Sequence, residues 1–397
     1  MKPPTRLRGP LLAGAALLSL TLPSPGATTL YVSPEGAGPA DGRSPESAFA
    51  GVSAARDAIR KLKAEGQAGP FTVELLPGTY PVTETIKFGP EDSGTKDAPV
   101  TYRARDPRTA ILTGARIFKV SDFAKPDDDA LLARLDPAAR DQVLVLDLAA
   151  KSISHADPFP PVFSDRGGIF ELFDADGRMP LSRWPNEGYT TMGETLVIGD
   201  KNTPGVFKFK DDRPLRWLKN PEVWLKGQWR VGWEDPAIRV DAIDAEARTI
   251  TFAAGIPNGI GSKYHRPKDG GPIGSGQEPW AAVNLPEEID QPGEWAIDFA
   301  NRRLIVWPRH AGPGDEIIIT QFDQPVIAAD GASHLRFENL VIQHSLGDGF
   351  VLENVDDVIV AGCIIRDIAG RGFVLHGTNS GIQSCDIHDI GEGAVYV

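Results

Sequence analysis

Residues 340–352 read LVIQHSLGDGFVL, residues 363–375 read CIIRDIAGRGFVL, and residues 385–397 read CDIHDIGEGAVYV. The first residues of these phrases, Leu340, Cys363 and Cys385, stand 23 and 22 positions apart, and Gly349, Gly372 and Gly393 recur within the same frame. Each copy holds an alternating run rich in β-branched residues, a polar turn with glycine, and a second short apolar run. Alternation with period two specifies strands, because successive side chains on a strand point to opposite faces. A repeat of this length with no helical segment inside it predicts one rung of a parallel β-helix, whose inner face is buried only against neighbouring rungs. The third phrase ends at Val397 on an apolar strand with no polar cap or helix after it. Since an open sheet edge invites pairing, the coil is expected to be incomplete there, with further rungs carrying part of any site.

Upstream, FTVELLPGTYPVTETIKF (71–88), PVTYRAR (99–105) and TAILTG (109–114) alternate with the same period and are punctuated at turns such as Pro77-Gly78. They predict the first coil turns within 28–114, preceded by a strand at Leu30 to Ser33. A capping helix is expected from N-cap Ser53 to about Lys63, with Val52, Ala55, Ile59 and Leu62 on one face. Between 115 and 325 the repeat lapses. All eight tryptophans fall there, and short strands separated by turns such as Asp176-Gly177 predict an inserted all-β domain, with a short helix near Asp128 to Arg140. The coil resumes at HLRFENLVI (334–342) and fills 326–397. The fold class expected is all-β: a parallel β-helix interrupted by an inserted β domain, with a short N-terminal capping helix.

The 34 Pro and 42 Gly among 397 residues suit a turn-rich β protein. A net charge of -13 argues against nucleic acid or an acidic membrane surface as partner, because both would repel it. Lys2, Arg6 and Arg8 precede an apolar stretch from Leu11 to Leu22 and small residues at Gly26 and Ala27, the pattern of a secretory signal over 1–27, too short to favour a membrane anchor. A secreted or periplasmic protein is expected, with no membrane insertion once the signal is removed. Cys363 and Cys385 hold equivalent places in adjacent rungs and would be either stacked thiols or a disulfide, strand spacing of about 4.8 Å allowing both. No CxxC or HxxxH spacing points to a metal, and no P-loop, dinucleotide fingerprint or serine elbow is present.

The segments 30–60, 75–104, 178–186 (RMPLSRWPN) and 278–308 (EPWAAVNLPEEIDQPGEWAIDFANRRLIVWP) resemble secreted right-handed parallel β-helix proteins of the pectin-lyase-like superfamily. The nearest group is similar to bacterial glycoside hydrolases that include α-L-fucosidases and xylanases. This resemblance implies a polysaccharide or oligosaccharide substrate and a carboxylate pair on the coil face. It implies no cofactor, calcium remaining possible. A polysaccharide lyase, or a non-catalytic glycan-binding or adhesive β-helix, is the alternative.

In a regular coil, His344, Asp367 and Asp389 form one column and Gln343, Arg366 and His388 the next. Asp367 and Asp389 are therefore the catalytic candidates, one strand spacing apart, with His388 beside them as a possible base. Two carboxylates about 5 Å apart suit a retaining glycosidase. Equally, Asp at a turn caps its own backbone, stacked polar ladders line coil corners, and two acids can hold calcium. His344 and His388 are expected to face solvent. Indole faces stack on sugars but also fill cores. Arg183 and Trp184, ahead of Pro185 in an expected loop, and Trp229 and Trp233 in WRVGWEDP are the substrate-binding candidates; core packing is expected for most other tryptophans. Asp92 is expected to order a turn.

Overall fold

The computed structural model describes residues 26–36, 40–159, 169–261 and 277–397; the expected signal before residue 26 lies outside them. Three parallel sheets wrap one core. The first stacks Thr28–Val32, Phe71–Leu75, Val100–Ala104, Ser333–Glu338, the later half of Phe350–Ala361, and Gly381–Gln383. The second stacks Gly78–Pro81, Ala110–Thr113, Val341–Ser345, Ile364–Ile368 and Asp386–Ile390. The third stacks Ile86–Phe88, Ile327–Asp330, the earlier half of Phe350–Ala361, Arg371–Thr378 and Gly393–Tyr396. The chain visits the sheets in that order on every turn, so this is a β-helix.

The repeat has two physical causes. Inward apolar residues line up in files: Tyr102 stacks under Phe337 in one sheet and Phe350 under Phe373 in another, and the two files meet across the core where the Phe337 and Phe350 ring centroids lie 5.6 Å apart. Glycine recurs because the turns nest closely. A Cβ on Gly349 would lie 2.5 Å from the Gly372 carbonyl oxygen, and one on Gly372 would lie 2.7 Å from that of Ala394.

Each rung also turns through left-handed residues, which come in files. His334, Asp357 and Asn379 have φ of 53, 52 and 51°; Asn339, Gly362 and Ser384 have 58, 63 and 51°; His344, Asp367 and Asp389 have 54, 52 and 54°. Asn, Asp and Gly tolerate this region best, which explains much of the polar periodicity.

The helix Val52–Ala64 begins two residues before the expected start, with Gly51 rather than Ser53 at its N-cap, and buries Val52, Ala55 and Ile59 in the coil core. Buried Asp92 ties it down: Arg60 donates to both its oxygens at 2.7 and 2.6 Å, and Gly89 N–H adds a third bond at 2.7 Å. The short helix Asp129–Arg134 is capped by the Asp128 side chain. Cys363 and Cys385 carry free thiols, Cys363 buried in the core.

The chain leaves the coil after Thr113 and re-enters at Ile327, which supplies the missing third strand of the same rung. Ala115–Lys119 and Glu316–Thr320 run antiparallel as a two-stranded stalk, and the hairpin Leu172–Asp174 with Gly177–Met179 adds to it. Six strands, Pro279–Val283, Thr190–Val197, Val206–Phe209, Thr249–Phe252, Ala237–Asp244 and Trp224–Gly227, pair in a closed antiparallel ring. Its interior holds Trp217, Trp229 and Trp280. The buried carboxylate of Glu288 accepts from Trp217 Nε1 at 2.6 Å and from Arg213, giving the PEEID segment a structural role.

Candidate functional site

The left-handed file His344–Asp367–Asp389 lies where the coil meets the stalk hairpin. The strand register is Gln343 on Arg366 on His388, then Ser345 on Ile368 on Ile390, with the file residues kinked out between those pairs. A kinked residue in a ladder re-aims its side chain, and here the hairpin stands over it. Gly114 fixes the base of the stalk that carries the hairpin, since its carbonyl accepts both Gln321 and Phe322 N–H, while Ser345 Oγ donates to the Phe322 carbonyl at 2.9 Å.

Arg178, across the hairpin from Phe173, donates to Asp367 Oδ1 at 3.3 Å and with its other arm pairs with Glu171. Its guanidinium lies 4.9 Å from the Phe173 ring centre, and Phe173 packs at 4.3 Å on His344. Arg366 and His344 each stand 3.9 Å from Asp367 Oδ2, and Arg366 Nε is held by Gln343 at 2.9 Å. His388 Nδ1 is 2.7 Å from Asp389 Oδ2.

These surroundings drive proton affinities apart. Burial raises the pKa of Asp367 above the usual carboxylate range despite Arg178 and Arg366, and the Asp389 charge adds to the rise. Asp389 is exposed, and its hydrogen bond to His388 holds its pKa low. Burial raises Glu171 against the pull of Arg178. Burial also pushes His344 down to about 4, so this ring is neutral at ordinary pH.

The other candidates fall differently. His344 is buried rather than solvent-facing, because Phe173 covers it. Trp229 is fully buried with Nε1 bonded to the Pro236 carbonyl, so it is a core residue and not a sugar platform. Trp184 lies in the strand Arg183–Trp184 rather than a loop, its ring packed edge-on against Trp217 and Trp280. Arg183 folds back on the Asn186 and Gly188 carbonyls and over the Tyr189 ring, which ties its own turn together. Trp233 is 67% exposed. Among the described residues no group of three or more His, Cys, Asp or Glu converges to hold a metal, and no helix is long and apolar enough to cross a membrane.

Reading the sequence missed Glu171, Phe173 and Arg178. The Asp176-Gly177 turn was visible, and it sets Phe173 opposite Arg178. What it could not show was which coil residue the hairpin overlies.

Comparison with known proteins agrees on the fold. The family described as right handed beta helix region matches residues 315–397. A solved structure titled "Glycoside hydrolase" superposes with a TM-score of 0.64 at 16% identity, covering 92% of this chain and 74% of its own. The tailspike gp61 of Pseudomonas phage phi297 aligns over 85% of this chain and 56% of its own, at 8% identity and a TM-score of 0.15. No curated protein matches the sequence.

Proposed function

We propose that this protein is an exported carbohydrate-active enzyme of pectin-lyase-like type, hydrolysing glycosidic bonds of plant or bacterial polysaccharide through Asp367 and Asp389. One observation carries the reading: two carboxylates occupy adjacent rungs of one file, and their surroundings push one toward the acid and the other toward the carboxylate. Asp367, whose proton affinity is raised by burial, serves as general acid. Asp389, ionised beside His388, serves as nucleophile. Strand spacing of about 5 Å corresponds to retention of anomeric configuration. Residues 115–325 act as an inserted domain that roofs the file and selects the glycan, with α-L-fucosides and xylans the first substrates to try. The solved structure of similar fold, a glycoside hydrolase by title, supports the class.

The test is incubation with a panel of plant and bacterial glycans, following reducing ends and near-ultraviolet absorbance. New reducing ends without an unsaturated product, lost in both Asp367→Asn and Asp389→Asn, are expected. An unsaturated product, or undiminished turnover in both variants, would sink the reading.

A further inference from the structure

The hairpin carries a carboxylate to which this chemistry assigns no part. Glu171 N–H donates to Thr320 Oγ1 at 2.8 Å, and its carbonyl accepts Thr320 N–H at 3.1 Å, so its backbone is pinned to the stalk strand Glu316–Thr320. Glu171 Oε1 takes one arm of Arg178, whereas Oε2 is buried with no hydrogen-bond partner among the described residues. The second arm of the same guanidinium reaches Asp367 Oδ1 at 3.3 Å, over the Phe173 ring. One cation is thus shared between two carboxylates on separate walls, Glu171 on the hairpin and Asp367 on the coil. An orphaned carboxylate oxygen at the end of a fixed arm is a cost that a purely structural ion pair would avoid by hydrogen bonding.

We propose that Glu171 is a positioning residue: it holds the Arg178 guanidinium back from Asp367, coupling the hairpin to the carboxylate file of the coil. The charged and titratable groups around Asp367 are Glu171 and Arg178 from the hairpin, and His344, Arg366, His388 and Asp389 from the coil. Replacing Glu171 by Gln removes a like charge near Asp367 and releases Arg178 toward it. Both changes favour ionised Asp367, so its titration moves to lower pH. Removing Arg178 withdraws a cation and moves the titration up.

The proposal rests on the reading of Asp367 as the acid, but its test does not need turnover. Carboxyl carbon NMR of the full chain, with the Asp367 signal assigned by its loss in Asp367→Asn, is expected to show titration about half a pH unit or more lower in Glu171→Gln and higher in Arg178→Ala. Where hydrolysis is measurable, the alkaline limb of kcat/KM moves the same way. Should Glu171→Gln not fold, Glu171→Ala, which removes both the charge and the contact that restrains Arg178, shifts the signal downward as well. An Asp367 signal that titrates as in the parent protein in the folded Glu171 variant, or that does not rise in Arg178→Ala, overturns the positioning role even if hydrolysis is found. A shift without any hydrolysis leaves the coupling standing and removes the activity.

Discussion

Two corners of this coil carry nearly the same text and are held differently. His334–Asp357–Asn379 and His344–Asp367–Asp389 both run His, Asp, amide or acid, at the same spacings and in the same left-handed conformation. At the first corner the carboxylate is saturated: Arg336 donates to both oxygens of Asp357 at 2.8 and 2.9 Å, and His334 Nδ1 lies at 2.7 Å. Burial opposes ionisation there, yet those two partners overcome it and hold the Asp357 pKa low. At the second corner, Asp367 has Arg178 at 3.3 Å, with Arg366 and His344 at 3.9 Å, and burial wins. A left-handed Asp is therefore a device for turning the coil. What separates the second corner is that its cation is divided with Glu171.

The widest gap between the corners is expected in turnover. Asp367→Asn should lower kcat/KM by about 1000-fold, within the range for loss of a general acid, while Asp357→Asn should leave it within about threefold. Equal losses in the two variants would mean that both corners act only through the fold.

His344 sharpens the contrast through pH. Its pKa in the folded protein, about 4, is depressed from 6.5 by burial under Phe173. Between those values the unfolded chain binds a proton that the folded chain refuses. Stability from this residue is therefore fully present above about 6.5 and is lost as pH falls through 4, by up to about 3 kcal/mol. Denaturant titrations at pH 7 and pH 4.5 should show a smaller difference for His344→Phe than for the parent; an identical difference would show that the ring is not buried neutral.

The corner acids should oppose one another in the same experiment. Asp357, with its folded pKa lowered, contributes stability above the unfolded value of 3.8 that is lost as pH falls through the folded value. Asp367, with its folded pKa raised, is destabilising when ionised, and stability falls as pH rises through that value. At pH 7 Asp357→Asn should thus lower the free energy of unfolding, by about 1–2 kcal/mol for charge-assisted bonds that remain partly exposed, and Asp367→Asn should raise it. Shifts of the same sign would erase the distinction drawn here.

The coil was legible in the sequence because its rungs repeat the same constraints: a large apolar residue inside, a glycine where backbones nest, a left-handed residue, mostly polar, at each corner. The file containing Asp367 and Asp389 followed from spacing alone. What spacing cannot supply is environment. Asp357 and Asp367 are indistinguishable as text, since the residues that separate them are Arg336, two positions from His334, and Arg178, 189 positions from Asp367. Trp184 and Trp229 misled for a related reason: closure of the six-stranded ring buries or packs indoles that a local reading leaves free to stack on sugar. Contacts made between the stalk and the coil leave no periodic trace in either.

The third corner file, Asn339–Gly362–Ser384, gives the smallest effect and isolates the conformational contribution from charge. Ser384 has φ 51° and is exposed, whereas Gly362, one rung away in the same file, adopts the conformation without a Cβ. A non-glycine residue in the left-handed region costs roughly 1–2 kcal/mol, and glycine gives back roughly 0.5–1 kcal/mol through the entropy of the unfolded chain. Ser384→Gly should therefore stabilise by about 0.5 kcal/mol, or about 1–2 °C in thermal midpoint for a chain of this size. Asp389→Gly relieves the same backbone strain on the same rung but deletes the proposed nucleophile, so it should match Ser384→Gly in stability and lose turnover. If it instead destabilised the coil by more than about 1 kcal/mol, the Asp389–His388 pair would be holding the rung together, and the second corner would be as structural as the first.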